Sequence, residues 1–91
     1  MDVAISEDAV PVIKDSLNRE IILLESKINM IKKEMKQLED RYHMISSEFQ
    51  TKFDKGDIGD SQDFFEWWGL IKGLGILEDR LNKAKAVITY W

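Results

Sequence analysis

Cysteine is absent from the 91 residues, which excludes disulfides and thiolate metal sites as supports for a fold. That suits a reducing cytoplasm, the expected location. Proline occurs once and glycine five times, so little interrupts long helices. No apolar run approaches the ~20 residues that cross a bilayer. The opening MDVAISEDAV carries acids where a secretory signal has a basic start and an apolar stretch. Histidine occurs once, as His43. With no cysteine, and no serine in a recognisable nucleophile turn, no familiar signature of nucleophilic catalysis is seen. No metal and no cofactor is expected.

Bases are outnumbered, 13 against 17 acids, and the deficit is local. Residues 47–68 hold Glu48, Asp54, Asp57, Asp60, Asp63 and Glu66 against Lys52 and Lys55, an excess of four acids that equals the net charge of the whole chain. Nucleic acid would be repelled there, and no basic stripe stands elsewhere, so DNA binding is not expected. A basic protein surface would be attracted.

What the chain does contain is helical periodicity. Leu17, Ile21, Leu24, Ile28, Ile31, Met35, Leu38 and Tyr42 recur at alternating spacings of four and three, the pattern of a coiled-coil seam. This predicts a long helix over 15–43, roughly 40 Å in length, whose start falls between Asp8 and Asp15 with Pro11 tolerated in a first turn, and leaves residues 1–13 as a candidate flexible lead. Trp67, Leu70, Leu74, Leu77, Leu81, Ala84 and Ile88 repeat the pattern and predict a second long helix over 61–89. Asp60 or Ser61 would cap its start, with Asp63 and Glu66 in the opening turns and Lys83 and Lys85 towards the far end. Between them, Ser47-x-x-Gln50 reads as a capping box and Gly56 as a helix stop, giving a short helix over 47–55 and a tight DIGD turn. Phe49 and Phe53 lie one turn apart on it. The expected fold is all-α, a single domain over 1–91. Two long antiparallel helices joined by a short one would complete a bundle by self-association.

A helix pair hides one face of each partner. Ile22, Leu23 and Met30 on the first helix, and Phe64, Phe65, Trp68 and Ile71 on the second, are surplus to the seam. Burying such side chains fully is worth roughly 1.5–3 kcal/mol each, so a further surface is expected to cover them. In FFEWW, residues 64–68, the core reading takes Phe64, Trp67 and Trp68 inward. Phe65 points away from Trp67 and is the best anchor for a partner. Gly69, Gly73 and Gly75 each cost about 1 kcal/mol relative to alanine inside a helix. Gly69 and Gly73, one turn apart, are expected to form a smooth docking groove; a local break at Gly-Leu-Gly is the alternative. The partner surface is therefore drawn as Asp57, Asp60, Asp63, Phe64, Phe65, Trp68, Gly69 and Gly73. The acidic loop fails the spacing of a calcium-binding hand, because Gly56 and Ile58 would fall at ligand positions counted from Asp54. His43, at the end of the first helix, reads as a partner for its C-terminal dipole.

The joint carries a likeness. Tyr42, Met44, Ser46, Ser47, Glu48 and Phe49, then Phe53, Gly56, Gly59, Asp60, Asp63, Phe64, Phe65, Glu66 and Trp67, resemble a pattern in small helical antitoxin components of archaea and bacteria. There Tyr-Gly-Met-Ser-Ser-Glu-Glu-Phe leads through a short helix to Gly-Glu-Leu-Gly-Asp-Asp and Asp-Phe-Phe-Glu-Trp. The likeness spans about a third of the chain; His43 replaces the glycine and Ile45 enters before the serines. It implies a protein that binds and neutralises a small toxin.

Three readings follow. The first is a non-catalytic interaction module, an antitoxin for a basic partner. The second is a homo-oligomeric structural protein with no toxin partner. The third is a small all-helical enzyme of chorismate-mutase type, which would need Arg19, Arg41 and Arg80 to converge on a dicarboxylate.

Overall fold

The computed structural model describes residues 6–90. Among them are a short 3-10 turn, Glu7–Ala9, and three α-helices: α1 (Val10–Tyr42), α2 (Ser46–Asp54) and α3 (Gln62–Thr89), with no strand. Arg41 pairs with Asp63 beside the joint and Glu20 with Arg80 towards the open end, so α1 and α3 run antiparallel. The hairpin is a rod 55 Å long and 19 Å at its thinnest. Its radius of gyration of 18.2 Å compares with about 12 Å for a compact domain of this length.

Every seam residue is buried or half-buried. On α1 these are Leu17, Ile21, Leu24, Ile28, Ile31, Met35, Leu38 and Tyr42. On α3 they are Trp67, Leu70, Leu74, Leu77, Leu81, Ala84 and Ile88. The core proper is small: among the described residues only Leu24, Ile28, Leu38, Phe49, Trp67 and Ala84 are buried. Such a chain buries too little apolar surface for high stability on its own.

α1 starts at Val10, within the expected window from Asp8 to Asp15. Val10 and Ile13 continue the three-four spacing backwards from Leu17 and are half-covered, and Pro11 sits in the first turn, where its missing N–H is harmless. Residues 6–13 are thus largely helical; the rest of the expected flexible lead, 1–5, lies outside the described residues. α2 begins one residue before the predicted 47. Its N-cap is Ile45, which has no capping side chain, and the Ser46 N–H is met by the Glu39 carboxylate at 2.7 Å. The capping box is replaced by a cap from the neighbouring helix.

Two left-handed residues turn the chain. Gly56, at φ +73°, ends α2 as predicted, and the Asp57 N–H donates back to the Lys52 carbonyl at 2.9 Å. His43 ends α1 in the same conformation, φ 51°, with the Met44 N–H donating to the Glu39 carbonyl. A side chain at such a position is strained where glycine is not. His43→Gly is expected to raise unfolding stability by about 0.5–1 kcal/mol, read as a higher urea midpoint at unchanged slope. An unchanged or lower midpoint would mean that the imidazole makes contacts offsetting the strain.

Candidate functional site

The joint end of the rod gathers the aromatic residues. Helical spacing turns Trp67 towards α1, where it is fully buried; its ring stacks on Phe49 at 4.1 Å and 5° between planes. The indole N–H donates to Ser46 Oγ at 2.9 Å, so the one polar atom of the buried ring is satisfied. Phe64 lies half-buried between Tyr42, 5.0 Å away, and Phe49, 5.6 Å away. Ile58, from the DIGD turn, is half-buried against the same cluster.

A polar clasp closes the joint. Asp63, in the first turn of α3, accepts from the Tyr42 hydroxyl at 2.6 Å and from the Arg41 guanidinium at 2.8 Å. These two bonds, Tyr42 first, hold the Asp63 carboxyl below its ordinary range. The bond to Asp63, then burial, raises the Tyr42 phenol. Asp63 therefore stabilises the fold fully above the ordinary carboxylate pKa, and that contribution disappears as pH falls through its depressed folded value. Tyr42 works in the opposite sense: its contribution is present below the ordinary phenol pKa of about 10 and lost as pH rises past its folded value. The melting difference between wild type and Asp63→Asn should be constant at neutral pH and shrink below about pH 4. A difference that stays level into strong acid would show that the charge on Asp63 is irrelevant.

Outside this cluster lies a second aromatic layer. Phe53 bridges the two, touching Phe49 inside at 5.4 Å and meeting Phe65 edge-on at 5.5 Å and 87°. Phe65 is 55% exposed and Trp68 38% exposed. The Lys72 ammonium lies 5.6 Å from the Trp68 ring centre, within cation–π reach. Glu48 pairs with Lys52 at 3.4 Å. Among the described residues, Asp54, Asp57, Asp60 and Glu66 have no ion-pair partner and all four are exposed.

The expected partner surface is thus brought together in part. Asp57, Asp60, Phe65 and Trp68 stand open at one end, whereas Trp68 was also read as core. Asp63 and Phe64 are occupied inside the hairpin. Gly69 is exposed, with open space where a Cβ would point, but a Cβ on Gly73 would meet Ile31 Cδ1 of α1 at 3.9 Å. The two glycines do not share one free groove, because Gly73 is turned to the seam side. α3 is unbroken through Gly73 and Gly75. The roles of Ser46 and Glu39 are not legible in the sequence, since nothing local marks a cap or hydrogen bond whose partner is seven or 21 residues away, and the packing of Ile58 depends on the path of the turn.

The three arginines are not assembled into an anion site. Arg41 is taken by Asp63, and Glu20, which holds Arg80, lies about 30 Å back along α1. Among the described residues no three candidate ligands gather for a metal, and no helix is long and apolar enough to cross a membrane. The chain is, in class, an all-α helical hairpin with an aromatic, acidic end. No family model, curated protein or solved structure matches it.

Proposed function

We propose that this chain is a non-catalytic interaction module that captures a basic partner protein at the joint end of the hairpin. The observation that carries the reading is the exposure of Phe65 and Trp68 beside the unpaired carboxylates of Asp54, Asp57, Asp60 and Glu66. Large aromatics held on a rigid helix anchor an interface at small entropic cost, and surrounding charge selects and steers the partner. The clasp and the buried Trp67 fix the first turns of α3, so the two outer rings are already in place before binding. The likeness at the joint supports the particular role of an antitoxin, which would act by covering the working surface of a small basic toxin.

The test is co-expression with the product of the adjacent gene. That product alone should arrest growth. Together with this chain it should be tolerated and co-purify, in a complex weakened by added salt. A neighbour harmless on its own, or one that never associates, removes the antitoxin reading.

A further inference from the structure

On α1, away from α3, Val12, Leu23 and Met30 are 65%, 56% and 61% exposed. They are separated by eleven and seven residues, which places them within about 20° of one line along the helix. Ser16, Arg19, Ser26 and Glu34 occupy the intervening positions of the same line. This is a second seam with nothing of the hairpin upon it.

Charge along the helix says what fits there. Residues 7–25 carry Glu7, Asp8, Asp15, Glu20 and Glu25 against Lys14 and Arg19. Residues 27–42 carry Lys27, Lys32, Lys33, Lys36 and Arg41 against Glu34, Glu39 and Asp40. Glu7 and Asp8 precede α1; with them and the residues paired within the chain (Glu20, Lys36, Asp40 and Arg41) set aside, Asp15 and Glu25 balance Lys14 and Arg19, and the line itself is a mirrored set: Arg19 and Glu34, like Leu23 and Met30, lie equally far either side of Ser26 and Lys27. A second α1 laid antiparallel about that point sets Arg19 against Glu34 and Leu23 against Met30 twice over; laid parallel, it sets each charge against its own kind. We infer that two copies of this chain associate through the outer face of α1, antiparallel, about a two-fold axis beside Ser26. The small side chain of Ser26 lets the helices approach closely at the axis. In this register Leu23 packs on Met30 of the second copy, Val12 covers the aliphatic stem of Arg41 of the second copy, and Arg19 meets Glu34 of the second copy. The two hairpins then join through α1 alone, with each α3 on the outside and its Phe65 and Trp68 left open. The inference is independent of the partner reading.

Sedimentation equilibrium of the full chain over a concentration series decides it. Wild type should dimerise, and Leu23→Gln with Met30→Gln should raise the dissociation constant about a hundredfold with helicity kept, because both side chains are exposed in the single chain. Arg19→Glu alone should weaken the dimer about tenfold, and adding Glu34→Arg should restore it. A chain monomeric at its highest soluble concentration overturns the proposal. So does a dimer indifferent to Leu23 and Met30 but lost with Phe65→Ala and Trp68→Ala, since the aromatic end would then be the self-contact. Failure of the charge reversal to restore association overturns the antiparallel register.

Discussion

Trp67→Ala is expected to unfold the isolated chain at ordinary temperature. Trp67 is fully buried, stacks flat on Phe49, and ties α3 to the start of α2 through Ser46. Truncating a buried tryptophan costs about 3–5 kcal/mol, from lost transfer energy and the cavity left behind. A chain of this size has in total roughly 5–13 kcal/mol, and the small buried core among the described residues puts this one towards the lower end. Trp67→Phe separates the parts of the effect. It keeps much of the stack, drops the indole donor, and should cost about 1–3 kcal/mol. Urea melts followed by far-UV circular dichroism measure both. If Trp67→Ala melted within a few degrees of wild type, the joint would not be what holds the hairpin shut.

The second large effect is on binding. Phe65→Ala combined with Trp68→Ala should weaken capture of the basic partner by at least about 2 kcal/mol, roughly thirtyfold or more in dissociation constant. Stability should change much less, because both rings are substantially exposed and what Phe65 loses internally is its edge-on contact with Phe53, worth about 1 kcal/mol. Titration calorimetry against the partner, with a melt of each variant, distinguishes the cases. Unchanged affinity would move the docking surface elsewhere. Loss of fold would make the pair part of the core.

The long-helix seam was legible because it repeats. Each residue from Leu17 to Tyr42, and from Trp67 to Ile88, announces its neighbour three or four places on. The same rule, carried back to Ile13 and Val10, narrows the start of α1 from the window of Asp8 to Asp15 to Val10. Caps were legible where they are local: Ser61 accepts from the Phe64 N–H, and Gly56 supplies its own turn. The errors fell on residues whose partners are distant in sequence. Asp63 reads in the sequence as a favourable charge in the opening turn of the second helix and as part of the partner surface, yet Arg41 and Tyr42, more than twenty positions earlier, claim it. Gly73 looked like the twin of Gly69, yet Ile31 lies against it. Phe65 is placed outward by its spacing from Trp67, whereas Phe64 fits either the core or the partner surface, and Phe49 of α2, lying against it, decides for the core.

The ties between the long helices are uneven. At the joint stand the stacked rings, the clasp and the Glu39 cap. Near the free tips stand Ala84, a small side chain, and Glu20 with Arg80, a partly solvated ion pair of the kind worth about 0–1 kcal/mol. The molecule is built like a tweezer: its arms can spread at the tips while the crotch stays shut, so amide protons should exchange fastest at the ends of the arms and slowest around Leu38 and Trp67.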